Sequence, residues 1–181
     1  MKGIYAAIVT PVTEEGEIDL ARLVTHARWL LQHGCHGIGL FGTTGEASAF
    51  TVAQRQEALE QLLAAGIAPK RIILGIGCCA LGDTLSLARD ALAQHVRRHL
   101  AVPPFFSKNV SEEGVYRAFA ELLERLADPQ LELYLYHFPQ MTAVPIGRRL
   151  LERLLERFPT SLRGLKDSSG DWSHTRSLIE A

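Results

Sequence analysis

Short apolar runs alternate with longer amphipathic segments along the whole 181-residue chain, and this alternation limits the fold more than any single motif does. One run and the segment after it together take about 30 residues, the size of a strand with its crossover helix, and the pattern occurs six times. Apolar runs bounded by Gly or Pro favour buried strands, whereas apolar residues spaced three and four apart favour helices. We therefore predict an α/β fold with a parallel sheet.

The predicted strands share a continuous apolar character and end at Gly, Pro or polar residues. They are Ala6–Val9, Gly37–Phe41, Arg71–Ile76, His99–Val102, Leu131–Tyr136 and the run that leads into Lys166. The predicted helices begin after residues whose side chains can accept a hydrogen bond from the first helical turn. These capping residues are Asp19, Thr51 (in a capping box with Gln54), Ser111 and Asp171.

Two architectures satisfy this alternation, a doubly wound open sheet and a closed β/α barrel. No G-x-G-x-x-G follows the first strand, which disfavours a dinucleotide-binding open sheet. A complete barrel has eight units in roughly 250 residues, so the chain would be about two units short. We expect residues 1–181 to form a single incomplete TIM-barrel domain.

Composition excludes several classes of partner. Charged residues make up 22% of the chain and the net charge is -1, which gives no basis for a nucleic-acid or membrane partner. The three cysteines are odd in number and two are adjacent, so we expect reduced thiols. No signal peptide is recognisable, and we expect a cytoplasmic protein. The histidines lack metal-ligand spacing, so we predict no metal site.

Three polar clusters follow predicted strands: Gly42-Thr43-Thr44-Gly45-Glu46, Tyr136-His137-Phe138-Pro139, and Lys166. In a parallel barrel the carboxyl ends of all strands face the same way, so these clusters would converge. A lysine walled by apolar residues can attack a carbonyl, and a tyrosine can pass a proton. Each cluster alone also fits a structural role: a strand-to-helix turn, a packing tyrosine and a solvated lysine.

Together these motifs resemble the dihydrodipicolinate synthase / N-acetylneuraminate lyase family of class I pyruvate-dependent aldolases. The resemblance rests on five segments in order: Ala7-Ile8-Val9-Thr10-Pro11-Val12, Gly42-Thr43-Thr44-Gly45-Glu46, Pro104-Phe105-Phe106, Tyr136-x-x-Pro139 and the stretch Gly164-Leu165-Lys166-Asp167-Ser168-Ser169-Gly170-Asp171.

The resemblance implies a TIM barrel and a covalent Schiff base between Lys166 and pyruvate or another 2-keto acid, with no cofactor. Tyr136 would then transfer protons, and Thr43 would take part with it in catalysis. Gly42, Thr43 and Thr44 would bind the carboxylate of the keto acid.

Two positions bear on the substrate. In the synthase branch of this family an arginine follows the Tyr-Asn-x-Pro segment and holds the carboxylate of the second substrate, and a tyrosine stands where this chain has Phe106. Met141 occupies the arginine position here and cannot hold a carboxylate by charge, and Phe106 cannot relay a proton. We therefore favour a lyase or aldolase for pyruvate or a sugar-derived 2-keto acid, with dihydrodipicolinate synthase proper as the alternative.

Family members continue through two further strands, so we expect this chain to be a fragment or a truncated product. Its first and sixth strands would be open apolar edges, which invite pairing with another chain. We expect a homo-oligomer, dimer or tetramer. A non-catalytic remnant that serves only as an oligomerisation or binding module is the second alternative.

Overall fold

The computed structural model describes residues 2–180, and within that range six strands alternate with helices. The strands are β1 (Tyr5–Ala7), β2 (Gly37–Leu40), β3 (Ile72–Gly75), β4 (Arg98–Ala101), β5 (Glu132–His137) and β6 (Leu162–Asp167). The helices are α1 (Leu20–Gln32), α2 (Val52–Ala64), α3 (Leu81–Ala93), α4 (Glu112–Leu126), α5 (Pro139–Thr142), α6 (Arg148–Arg157) and α7 (Trp172–Ile179). Within residues 2–180 no helix is long and apolar enough to cross a membrane.

The six strands lie in the sheet in the order of the sequence, β1 to β6. The pairs β1–β2, β2–β3 and β5–β6 are parallel. A doubly wound sheet reverses its strand order at a switch point, whereas a β/α barrel adds each strand beside the preceding one. The strand order therefore decides between the two architectures. The fold is that of the TIM (β/α)8 barrel family with six βα units, as predicted.

Helix starts follow the predicted capping residues. The side chains of Asp19, Ser111 and Asp171 each accept a hydrogen bond from a backbone N–H in the first turn of α1, α4 and α7. Thr51 and Gln54 form both bonds of a capping box at α2. Each cap satisfies a backbone donor that has no partner inside its helix. The single-turn helix α5 was not predicted; Pro139 favours it, because its fixed φ suits a first helical position.

The first strand differs from its prediction. The sequence predicts Ala6–Val9 as a strand buried on both faces, but the structure pairs only Tyr5–Ala7 with β2. Ile8 is 1% exposed, whereas Val9 is 50% exposed. Successive side chains of an extended segment point to opposite faces, so Ile8 is covered and Val9 is not.

The described residues divide into two compact units, with residues 2–76 and 86–99 in the first and residues 77–85 and 100–180 in the second. In the first unit, α1 and α2 cover strands β1–β3 with an apolar face that includes Leu23, Ala27, Ala58, Leu59 and Leu62. In the second, α4 and α6 supply the corresponding buried residues, Val115, Phe119, Leu122, Leu123, Leu150 and Leu154. Each unit therefore has its own apolar core.

Candidate functional site

One face of the β5–β6 pair brings the predicted lysine and tyrosine together. The parallel register places Tyr134 beside Gly164 and Tyr136 beside Lys166. Alternate residues of a strand share a face, so these four residues project from the same side of the sheet. A Cβ at Gly164 would lie 3.2 Å from the Tyr134 ring. The absence of a side chain at this position therefore gives the tyrosine its room.

Lys166 lies directly over the aromatic ring of Tyr136. Its Nζ atom is 4.0 Å from the ring centroid, a distance typical of a cation–π contact. Tyr136 is 4% exposed and stacks against Phe138, with ring centroids 5.7 Å apart. The buried ring gives the ammonium group a fixed platform, which keeps the amine and the phenol of one face close to each other.

The Lys166 side chain is exposed. In the sheet formed by the described residues, β6 is the last strand and pairs with β5 alone. One flank of Lys166 is therefore covered by the β5 side chains and the other is open.

Gly42, Thr43 and Thr44 lie in the first unit, in a tight turn that follows β2. The N–H of Gly45 donates to the carbonyl of Gly42 and the N–H of Glu46 donates to the carbonyl of Thr43, both at 3.1 Å. Both threonines are exposed. Two exposed threonines are therefore adjacent in this turn. Whether this turn and the Lys166–Tyr136 pair form one site stays a prediction.

The two glycines of this turn have different roles. A Cβ at Gly45 would lie 3.0 Å from the carbonyl oxygen of Ile8, and the Gly45 carbonyl accepts a 2.7 Å hydrogen bond from the Thr10 hydroxyl. A Cβ at Gly42 would meet no atom within 4 Å. A Cβ at position 45 would therefore require its neighbours to give way, whereas a Cβ at position 42 would point into open space.

The buried side chain of Arg55 packs near the start of the Gly42–Glu46 turn. Arg55 is 2% exposed, and its Nη2 donates to the carbonyl of Gly75 at 2.6 Å. Its guanidinium carbon lies 5.5 Å from the ring centroid of Phe41, which has a left-handed φ of 54°. Sequence reasoning missed this residue; an arginine among the apolar positions of α2 was the available signal.

A second polar cluster, also missed from the sequence, lies at the ends of β5 and β6. His137, Asp167 and His174 bring one ligand-type atom each within 4.8 Å of one another. The His137 and His174 rings are 4.3 Å apart between centroids. His137 follows Tyr136 and Asp167 follows Lys166, so these two side chains project from the opposite face of the sheet. The strand register and the first turn of α7 create the cluster, whereas residue spacing alone does not indicate it.

The environment of this cluster shifts the pKa values of His137 and Asp167. Burial lowers the pKa of His137, the neighbouring His174 lowers it further, and Asp167 opposes them. Partial burial would raise the pKa of Asp167, but hydrogen bonds from Thr175 and Ser169 outweigh it and hold that pKa below its ordinary value. The cluster therefore favours a neutral imidazole beside an ionised carboxylate.

These residue types could ligate a metal, but the hydrogen bonding does not suit one. The Nδ1 atom of His137 accepts a 3.0 Å hydrogen bond from the N–H of Ile146, so in the neutral ring Nε2 carries the proton. A metal at Nδ1 would displace the Ile146 bond, and a metal at Nε2 would displace the proton. We therefore assign no metal to this cluster.

The sequence matches the dihydrodipicolinate synthetase family over residues 1–181. A protein of Chloroflexus aurantiacus, described as an uncharacterized DapA-like lyase, is 41% identical over 182 residues, covering 99% of this chain and 60% of that protein. The N-acetylneuraminate lyase of Homo sapiens is 30% identical over 174 residues, covering 94% of this chain and 53% of that protein.

Solved structures give the same result. The crystal structure of dihydrodipicolinate synthase from Agrobacterium tumefaciens matches with a TM-score of 0.94 and 36% identity, covering 98% of this chain and 62% of that one. The chain thus spans between 53% and 62% of the length of these three relatives.

Proposed function

Since this chain belongs to the dihydrodipicolinate synthetase family, we propose that it carries the Schiff-base chemistry of a class I lyase or aldolase acting on pyruvate or a sugar-derived 2-keto acid. One observation carries the proposal: Lys166 Nζ lies 4.0 Å from the centroid of the Tyr136 ring, at paired positions of β5 and β6. An amine and a phenol on one face of a sheet are the two groups that imine chemistry on a keto acid needs.

Lys166 would act as the nucleophile. Its neutral amine adds to the keto carbon, and a proton moves from nitrogen to oxygen to give a neutral carbinolamine. A second proton, donated to the new hydroxyl group, lets that group leave as water, and this leaves an iminium ion. The iminium withdraws electrons, so a neighbouring C–C or C–O bond can break, or loss of a proton from the adjacent carbon gives an enamine. Tyr136 would move these protons, because its phenol lies on the same face as the amine.

Gly42, Thr43 and Thr44 would bind the carboxylate of the keto acid. Hydroxyl and backbone N–H groups on a tight turn suit an anion, and the open space beside Gly42 leaves room for one. Thr43 would also orient the Tyr136 phenol. No cofactor is needed, because the covalent bond to Lys166 itself activates the substrate.

Two exposed apolar residues favour a lyase or aldolase over dihydrodipicolinate synthase proper. Met141 is 60% exposed and Phe106 is 80% exposed, and neither offers charge to a second carboxylate. We propose that the protein works as a cytoplasmic homo-oligomer. The exposed apolar side chains near the ends of β4, β5 and β6, which include Trp172 at 69%, are consistent with burial against another subunit.

A second candidate is a non-catalytic module that only binds ligand or oligomerises. The exposure of Lys166 favours it, because an open flank leaves the amine solvated. This candidate predicts no covalent adduct and strong self-association.

Trapping with pyruvate and borohydride separates the two candidates. Borohydride reduces an imine to a stable amine, and intact-mass spectrometry with peptide mapping then locates it. The other lysines in the sequence are Lys2, Lys70 and Lys108, so the site can be assigned. We expect one adduct on Lys166, none in Lys166→Ala, and an undiminished adduct in the control Lys70→Ala. A folded protein with no adduct, or with label spread over all lysines, would refute the lyase proposal.

A further inference from the structure

His137 is held by contacts on several sides, although the proposed reaction gives it no chemical task. It is 3% exposed, its Nδ1 accepts from the Ile146 N–H, and its carbonyl accepts a 2.9 Å hydrogen bond from the N–H of Ser168. The Ser168 bond extends the β5–β6 pairing one step beyond Lys166. The residue therefore joins the end of β5 to β6 through its backbone and to the segment before α6 through its ring.

The ring bond to Ile146 exists only while His137 is neutral. An imidazolium has a proton on both nitrogens and accepts no hydrogen bond, so protonation at Nδ1 sets two N–H donors against each other. The Ile146 N–H would then lose its acceptor in a buried place, which is costly. The hydrogen bond from Ile146 therefore requires the neutral form of the His137 ring.

We propose that His137 is a positioning residue for the proposed reaction: its neutral ring fixes the end of β5 so that Tyr136 lies beneath Lys166, and its protonation releases this hold. The role rests on the proposed function, because it acts through the residues that function uses. Tyr136 immediately precedes His137, and Lys166 pairs with Tyr136 in the register, so movement of the strand end moves the phenol relative to the amine.

Two titratable groups face the His137 ring. Asp167 on β6 favours the protonated form, and His174 on α7 opposes it. The segment from Pro139 to Gly147, which includes α5 and Ile146, carries no charged residue. In the following helix α6, Arg148 is paired with Glu152. Lys166 lies on the opposite face of the sheet.

Asp167 secures the other strand end. Its Oδ1 accepts from the N–H of Ser169 at 2.8 Å and its Oδ2 accepts from the Thr175 hydroxyl at 2.7 Å. These bonds connect the residue after Lys166 to the following loop and to α7. Among the described residues, the buried Nε2 of His174 has no hydrogen-bond partner. Ile146 supplies the hydrogen bond that restrains the His137 ring.

Two substitutions at position 137 separate position from charge. In His137→Asn the amide oxygen can still accept from Ile146, but the side chain does not titrate. In His137→Leu the ring volume is largely kept and the acceptor is lost. Rate constants for adduct formation on Lys166 at pH 8, with pyruvate and borohydride, should fall about 10- to 100-fold in His137→Leu, as expected for a misplaced reacting group, and His137→Asn should restore most of the loss.

The pH profile is the readout that a purely structural role would not move. The ratio of the wild-type rate to the His137→Asn rate should stay constant from pH 8 to about 7 and fall as the pH decreases through the histidine range. Taking this ratio removes the effect of pH on the lysine amine, since both proteins share Lys166. Imidazole ¹⁵N NMR should show a neutral His137 ring protonated at Nε2 at pH 7.5.

The outcomes separate the two proposals. An adduct whose rate ratio is flat with pH, or a His137 ring protonated at Nδ1 at pH 7.5, would overturn the role of His137 and leave the proposed function standing. Absence of any adduct in the folded wild-type protein at pH 8 would overturn the proposed function and this role with it. If His137→Leu does not fold, the Asn profile and the NMR spectrum still decide the role of His137.

Discussion

Gly75→Ala should be strongly destabilising, because Gly75, the last residue of β3, lies unusually close to Phe41, the residue before the Gly42–Glu46 turn. A Cβ at Gly75 would lie 2.0 Å from the carbonyl oxygen of Phe41 and 2.8 Å from its carbonyl carbon. Non-bonded carbon atoms normally approach to about 3.5 Å. Both contacts are with backbone atoms, so no side-chain rotation relieves the clash. The strand or the turn must therefore move by about 1 Å or more.

The magnitude follows from the cost of overpacking. Inserting a methyl group into a closed site costs about 1–3 kcal/mol and sometimes more, and we expect the upper end here, about 3 kcal/mol. Moving the turn also strains the 2.6 Å hydrogen bond from Arg55 to the Gly75 carbonyl. For a chain of this size, 1 kcal/mol corresponds to a Tm change of about 2–4 °C, so the Tm should fall by about 6–12 °C.

Urea and thermal unfolding followed by circular dichroism measure this effect. Gly82→Ala is the matched control, because Gly82 lies in the first turn of α3 and a Cβ there would meet nothing within 4 Å. Ala is favoured over Gly in a helix by about 0.5–1 kcal/mol, so the control should be slightly stabilised. A Gly75→Ala protein as stable as wild type would refute the packing described for β3 and the turn.

Three further predictions follow from individual contacts. Arg55→Ala should lower the free energy of unfolding by about 2–4 kcal/mol, because it leaves a cavity and removes a charge-assisted hydrogen bond to Gly75. Urea unfolding measures this loss, and a loss below about 1 kcal/mol would contradict the prediction. Asp171→Ala should cost about 1 kcal/mol by removing the α7 cap; unchanged hydrogen exchange in the first turn of α7 would contradict it. The free energy of unfolding should decrease as the pH is lowered from 7.5 to 5.5, and it should decrease less in His137→Asn than in the wild-type protein. Equal decreases in the two proteins would contradict a buried neutral ring at His137.

The sign of that last prediction comes from the two states of His137. Its pKa is lowered in the folded protein, so the unfolded chain takes up a proton first as the pH falls. The contribution to stability is complete above the unfolded value of about 6.5 and is lost as the pH decreases below it. The loss levels off once the pH lies below the pKa of the folded state.

The fold could be predicted because local signals and global pattern agree. Asp19, Thr51, Ser111 and Asp171 each mark a helix start that the structure confirms, since a cap depends only on residues within one turn. The strand around His99, preceded by a polar run, was also found, shifted by one residue to Arg98–Ala101. Its His99 ring is fully buried and contacts the Val96 carbonyl at 3.0 Å.

The exposure of side chains was less predictable, because it depends on which neighbouring strands are present. Lys166 and Val9 are both exposed. Lys166 lies in β6, and Val9 lies two residues after β1; these are the two outer strands of the described sheet. The apolar run of β1 predicts burial on both faces for Val9, whereas the motif around Lys166 leaves both a walled and a solvated lysine open. The apolar character of a strand indicates that it can be buried and does not identify which face is covered.

The His137–Asp167–His174 cluster was out of reach for a different reason. Its members are far apart in the sequence and come together through the β5–β6 register and the first turn of α7. Once β5 and β6 are taken as neighbours, Tyr136 opposite Lys166 implies His137 opposite Asp167. Motif reading assigned chemistry to the first pair and left the second unexamined, although one register determines both.

The central claim is that Lys166 forms an imine with pyruvate and that Tyr136 moves its protons. Hydrogen–deuterium exchange of the pyruvate methyl group, followed by ¹H NMR in deuterated buffer, tests both parts at once, because exchange requires an enamine. We predict exchange well above the buffer rate in the wild-type protein, its loss in Lys166→Ala and its strong reduction in Tyr136→Phe. Exchange at the buffer rate in folded protein, or equal exchange in Lys166→Ala, would contradict the account.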